Sequence, residues 1–400
     1  MHRILFALFA VVATAQPAFA QRADAVILIS IDGFRSDYLD RGVTPNLNAI
    51  AETGARAAGM RPSFPSITFP NHYTIVTGKR PDRNGIVSNS MEDPSIPGVK
   101  FSLSNREAVI DRRWWDEAEP IWVTAEKNNM RTATMFWPGS EAPIRGVRPH
   151  DWRIFDGSLS AEKRVKTVID WLERPVGERP KFVTLYFDDV DHAGHVHGPE
   201  AKETNEAIAK VDAAIGDLWS SISKLNLKVD VVIVSDHGMA AVSAERTIRL
   251  DQIAPTSSYR MLYGGPYAAL VPTEGQKAVL ASALLKPNPH MQCWPKEKIP
   301  RRFNYGRNAR VPAFICLAQT GWQISDRAPQ PGFSGGAHGY DPSALEMRAM
   351  FLAAGPDFLR AQKIGEFDNV DVYPLIMKLL KLPAEPNDGS LKTLRPSLKP

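Results

Sequence analysis

The chain is poor in the features that would place it in several familiar classes. It has only two cysteines in 400 residues, Cys293 and Cys316, too few for a zinc–thiolate cage. Beyond the N-terminus no apolar run is long enough to span a bilayer. Long basic runs are absent and the formal net charge is +4, so no stable nucleic-acid partner is expected. There is no internal repeat and no low-complexity segment, which excludes a repeat array. Nothing in the pattern specifies an oligomeric state.

What is present is ordinary globular material. Hydrophobic residues make up 44% of the chain, ample for a core. The length suits two or three average domains, or one large α/β domain with an insertion. Residues 1–20 have the pattern of a signal peptide: a short basic start, an apolar run from Ile4 to Ala15, and small residues at Ala18 and Ala20. Cleavage after Ala20 would leave an exported chain, periplasmic or secreted, with no membrane span; an uncleaved anchor helix is the alternative. Export would expose Cys293 and Cys316 to oxidation, so they either pair or remain as buried thiols.

Short β-rich apolar runs recur over 25–31, 131–136, 182–187, 229–235 and 349–354. Between them lie helix-like segments over 45–54, 119–129, 161–173 and 200–225, the last with Ile208, Val211, Ile215, Leu218, Trp219 and Ile222 on one stripe. The alternation predicts an α/β fold, a mostly parallel sheet covered by helices on both faces. Sites in such sheets form at the carboxyl ends of strands. Residues 240–335 interrupt the pattern with strand candidates over 259–263, 267–271 and 311–318 and a helix candidate over 276–285. They are expected to form a small inserted α/β lobe. That leaves 21–239 and 336–382 as the catalytic domain and 383–400, rich in Pro and Lys, as a loose tail.

Several polar residues fall where apolar runs stop. Asp32 ends the first run and precedes Gly33, as a metal ligand or as a turn residue bonding nearby amides. Asp236 and His237, followed by Gly238, end another, and two adjacent ligands of different type are harder to explain as a turn. Asp191 and His195 are one helical turn apart and suit one cation; His192 and His197 beside them are less clearly ligands. Thr68 lies at or just before a helix candidate over 71–77, with Pro70 in its first turn. Its ordinary role there is an N-cap, but the same helix start favours an anion, either an alkoxide or a bound phosphate. His338 lies among Gly335, Gly336 and Gly339, where a tight backbone lets a lone imidazole reach back.

Strings of residues carry a resemblance. Ser30-Ile31-Asp32-Gly33-Phe34-Arg35, Thr68-Phe69-Pro70-Asn71-His72-Tyr73, Gly85-Ile86-Val87-Ser88-Asn89, Glu119-Pro120-Ile121-Trp122, Asp191-His192-Ala193-Gly194-His195, Ser235-Asp236-His237-Gly238-Met239 and Gly336-Ala337-His338-Gly339-Tyr340 occur in that order. In this the chain resembles the nucleotide pyrophosphatase/phosphodiesterase family of the alkaline phosphatase superfamily, as a bacterial single-domain member. The resemblance implies an alkaline-phosphatase-like three-layer α/β/α sandwich. It implies two Zn²⁺, one held by Asp32, Asp236, His237 and Thr68, the other by Asp191, His195 and His338. Asn89 matches a donor to a phosphate oxygen. Phe69 and Tyr186 match aromatics that sandwich a nucleobase, with core packing as their ordinary role. Phe155 and Trp152 lie in a loop that also walls the pocket.

The implied reaction is hydrolysis of a small nucleotide diester or anhydride to a nucleoside 5′-monophosphate through a nucleotidyl-Thr68 intermediate, with Asn89 and the amide near Phe69 holding the charged transition state. Neutral Asn89 suits a diester better than a more highly charged monoester. A choline or lipid phosphodiesterase, a phosphomonoesterase and a zinc- or nucleotide-binding non-enzyme are the alternatives. A sulfatase is disfavoured, because Thr68 is not in a Cys/Ser-x-Pro-x-Arg context.

Overall fold

The computed structural model describes residues 23–400; the expected signal peptide lies outside them. An eight-stranded sheet forms the centre. Its strands in chain order are β1 (Ala25–Ile31), β2 (Ala55–Ala57), β3 (Thr132–Met135), β4 (Asp151–Trp152), β5 (Phe182–Phe187), β6 (Val229–Val234), β7 (Phe351–Ala354) and β8 (Gln362–Ile364). Their spatial order is β8-β2-β7-β6-β1-β5-β3-β4. β1 is central and pairs in parallel with β5 and β6, whereas β7 runs antiparallel to β6 and β2.

The sheet is buried on both faces because helices cover both, so its strands read as unbroken apolar runs rather than alternating ones. The two faces of β1 still separate: Val26 and Leu28 join one core cluster, while Ala25, Ile27, Ile29 and Ile31 join the other. The longest helix, Lys202–Lys224, buries Ile208, Val211, Ile215, Leu218 and Ile222 on the second face, each worth about 1.5–3 kcal/mol against exposure. Trp219, on the same stripe, is only partly buried.

Register decides where the site forms. Ser30 of β1 pairs with Tyr186 of β5 and with Val234 of β6. Two residues further on, Asp32 and Asp236 leave neighbouring strands at one level.

Between β6 and β7 the chain builds a four-stranded antiparallel sheet from Tyr259–Tyr263, Tyr267–Pro272, Phe314–Ala318 and Met291–Pro295, in that spatial order. Met291–Pro295 was not foreseen, because it lies in a Pro- and Lys-rich stretch. Cys293 and Cys316 are cross-strand neighbours in this sheet and form a disulfide. Aromatic residues of this segment pack into the main core: Tyr267 of the sheet, and Phe303 and Tyr305 outside its strands, share a cluster with residues of the central sheet and its helices.

The C-terminal stretch is not loose. Leu394 is fully buried. The Leu359 N–H donates to the Ser397 carbonyl at 2.8 Å, and the Lys399 N–H to that of Asp357 at 2.9 Å. Backbone pairing holds the tail where its composition predicted freedom.

Candidate active site

Thr68 opens the helix Thr68–Thr77, and the N-cap is Ile67 with no side-chain cap. The N-cap alternative for Thr68 does not hold: the residue is one place inside the helix. Asn71 shapes the loop before it. Its Nδ2 donates to the carbonyls of Pro65 and Ile67 at 2.9 and 2.8 Å, and its Oδ1 accepts from the Ser63 N–H at 2.7 Å. Thr68 Oγ1 comes within 3.4 Å of His237 Nε2.

Asp32 and Asp236, delivered by β1 and β6, meet His237. Asp191 and His195 come from the helix Asp189–His197, which follows β5. His338 follows the strand Ser334–Ala337, which lies so close to that helix that a Cβ on Gly335 would stand 2.3 Å from the His195 carbonyl oxygen. Only glycine permits this approach. The ligand atoms of Asp32, Asp236 and His237 lie within 4.8 Å of one another, and so do those of Asp191, His195 and His338. The rings of His237 and His338 stack at 3.5 Å, linking the two groups.

The imidazoles are oriented alike. Nδ1 of His195 contacts the Gly336 carbonyl at 2.8 Å, that of His237 the Gly238 carbonyl at 2.9 Å, and that of His338 the Ser66 carbonyl at 3.1 Å. A carbonyl only accepts, so each Nδ1 carries a proton and each ring turns its Nε2 inward as the edge left for a ligand. Three carboxylate oxygens, on Asp32, Asp191 and Asp236, are buried without a hydrogen-bond partner. His237 Nε2 stands 3.0 Å from Asp236 Oδ2 and 3.4 Å from Asp32 Oδ1. Asp191 lies 3.4 Å from His195 Nε2 and 3.5 Å from His338 Nε2. Tetrahedral zinc ligands stand about 3.3–3.5 Å apart, so the donors and their separations fit two divalent cations.

The electrostatics point the same way. Burial, then the charges of Asp236 and Asp191, push Asp32 well above the usual carboxylate range. Burial also raises Asp191, against the opposing pull of His195 and His237. Burial alone would raise Asp236, but His237 and His72 together hold it well below that range. His237 is raised despite its burial, chiefly by Asp236. Burial, reinforced by His237 and His195, holds His338 well below the ordinary imidazole value. Carboxylates crowded this way call for positive charge between them.

Asn89 Oδ1 accepts the Phe69 N–H at 2.9 Å. This leaves the Asn89 NH₂ free to donate, but it engages the Phe69 amide, which was expected to hold a phosphate oxygen itself. Tyr186 is also corrected. It is 8% exposed, and its hydroxyl donates to Asp32 Oδ2 at 2.6 Å, so it orients a site carboxylate and offers no open face to a base. Phe155, by contrast, is 45% exposed and packs edge-on against Phe136 and Tyr186. Phe69 is partly buried against Phe101 and Trp115.

His72 was missed. It is fully buried, with Nε2 2.8 Å from Ser30 Oγ and Nδ1 2.9 Å from the Thr68 carbonyl and 3.3 Å from Asp236 Oδ2. It ties the Thr68 helix to the Asp236 carboxylate. Its place in the string Thr68-Phe69-Pro70-Asn71-His72 was the available signal.

The family profile described as type I phosphodiesterase / nucleotide pyrophosphatase matches residues 26–341. The chain belongs to this family. Its members are hydrolases of phosphodiester and phosphoanhydride bonds, and an enzyme of that class fits the paired acidic and imidazole groups. The chain is 39% identical over 389 residues to an uncharacterised pyrophosphatase/phosphodiesterase of Schizosaccharomyces pombe, covering 93% of this chain and 80% of the relative. It is 34% identical to mouse ectonucleotide pyrophosphatase/phosphodiesterase family member 1, covering 93% of this chain but 42% of that protein's length. A murine ectonucleotide pyrophosphatase/phosphodiesterase 5, in an inactive threonine-to-alanine form in complex with AMP, superposes with a TM-score of 0.90 at 32% identity, covering 95% of this chain and all of the other. These relatives are eukaryotic and do not bear on the bacterial affiliation expected above. Among the described residues no helix is long and apolar enough to cross a membrane.

Proposed function

We propose that the protein is a two-zinc nucleotide phosphodiesterase/pyrophosphatase that works through a covalent nucleotidyl-Thr68 intermediate. The observation that carries this reading is the convergence of inward imidazole Nε2 atoms and unpartnered carboxylate oxygens beside the Thr68 hydroxyl. Asp32, Asp236 and His237, with Thr68, would hold one ion, and Asp191, His195 and His338 the other. Two such ions supply the Lewis-acid charge that makes a threonine hydroxyl acidic enough to attack and that offsets charge on the phosphate oxygens.

Thr68 Oγ, having lost its proton, forms a bond to phosphorus in line with the scissile oxygen, which leaves as an alcohol or pyrophosphate. Water then attacks the same phosphorus. The Thr68–phosphorus bond breaks, Thr68 regains a proton, and a nucleoside 5′-monophosphate departs. The Asn89 NH₂ donates to a non-bridging oxygen throughout. Phe155 takes over the stacking role expected for Tyr186 and faces the base opposite Phe69. The AMP complex of the murine relative supports a nucleotide as substrate. The N-terminal pattern supports export.

The test compares a nitrophenyl nucleotide diester with nitrophenyl phosphate. Faster turnover of the diester supports the reading, and faster cleavage of the monoester overturns it.

A further inference from the structure

The segment between β6 and β7 grips the loop that carries Asn89. The Tyr305 hydroxyl donates to the Val87 carbonyl at 2.9 Å. The Tyr267 hydroxyl and Ser88 Oγ share a hydrogen bond of 2.6 Å. Arg310, 4% exposed, donates to the Gly85 carbonyl at 2.8 Å and to that of Trp114 at 2.6 Å. Three side chains thus hold the main chain or side chain of Gly85, Val87 and Ser88, directly before Asn89.

The two tyrosines also reach the nucleophile loop. Phe64, four places before Thr68, packs edge-on against Tyr305 at 5.2 Å and Tyr267 at 6.0 Å between ring centroids. One pair of rings therefore fixes both loops, and the Asn89–Phe69 hydrogen bond joins the loops at their tips. Tyr267 and Tyr305 are nearly or fully buried, so neither hydroxyl has water as a ready substitute partner.

From this we infer that Tyr267 and Tyr305 are positioning residues, setting the distance between the phosphate-holding Asn89 amide and the Thr68 hydroxyl. The inserted segment is then part of the catalytic framework. The inference rests on the reading of Asn89 given above. A donor aimed at a transition state is effective only if held in place, because reorganising it during the reaction costs rate.

The experiment uses Tyr267→Phe and Tyr305→Phe together, which remove both hydroxyls and keep both rings, in the full chain and again with Asn89→Ala. Turnover of a nitrophenyl nucleotide diester is followed, with thermal unfolding measured alongside. Alone, the tyrosine pair is expected to lower kcat about tenfold with KM changed by less than about twofold. With Asn89 already replaced, the same pair should lower kcat by less than about twofold, because its route to the phosphate is gone. An equal tenfold loss in both backgrounds, or no loss in either, overturns the positioning role. If Asn89→Ala alone turns over like the unaltered protein, the phosphate-holding reading itself fails and takes this inference with it. A single Tyr305→Phe variant serves if the double variant unfolds below the assay temperature.

Discussion

The Nε2 atoms of His195 and His338 face each other at 3.0 Å while each ring's Nδ1 is engaged by a backbone carbonyl. With both Nδ1 atoms so occupied, the Nε2 atoms are the edges left for coordination, and their close approach suits a cation bound by both. The expected consequence is a protein stabilised by metal. Dialysis against a chelator should abolish diesterase activity and lower the melting temperature, and added zinc should restore both. A melting temperature indifferent to chelator would contradict the metal reading of these rings.

Thr68 is separable from the ligand sets, since four of the six proposed ligands outside it belong to other loops and strands and the other two, Asp191 and His195, lie on a different helix. Thr68→Ala should reduce turnover more than about a thousandfold while leaving metal content close to that of the unaltered chain. Retained activity would remove the nucleophile assignment.

Phe155 and Tyr186 should part company in kinetics. Phe155→Ala is expected to raise KM for a nucleotide diester about tenfold, the worth of one stacked base, and to leave a base-free methyl nitrophenyl phosphate unaffected. Tyr186→Phe removes the hydroxyl bonded to Asp32. It should lower kcat for both substrates equally and leave base preference alone. A base-dependent effect of Tyr186→Phe would return it to the stacking role.

Much of this site was legible because strand ends are local. Asp32 and Asp236 each stop a β-rich run, and parallel register then brings them to one level. His338 had no such signal, since its place depends on glycines closing onto a helix more than a hundred residues earlier. Tyr186 was misassigned because β5 is buried on both faces. An apolar run without alternation does not tell which side chain points toward the site and which hydroxyl finds a carboxylate there. The tail was misjudged for a related reason: Pro and Lys content reports local stiffness and solubility, not the backbone hydrogen bonds that Ser397 and Lys399 make far from their own sequence neighbours.

Stability should also depend on pH through a group away from the site. Asp230, on β6, is buried. One oxygen accepts the Asp357 N–H at 3.1 Å and the other has no partner. Burial raises its carboxyl to about 8. The folded chain then keeps a proton that the unfolded chain releases near pH ~4. Its stabilising contribution is whole below the unfolded value and is lost as pH rises toward the folded one. Melting temperature should therefore fall across that window, and Asp230→Asn should flatten the fall. An unchanged slope in the variant would assign the pH dependence elsewhere.

The most direct measurement is anomalous X-ray diffraction at the zinc edge from crystals of the purified protein. Two peaks are expected a few ångströms apart, one bounded by Asp32, Asp236, His237 and Thr68, the other by Asp191, His195 and His338. A single peak, or none at these residues in protein that turns over a nucleotide diester, would contradict the account.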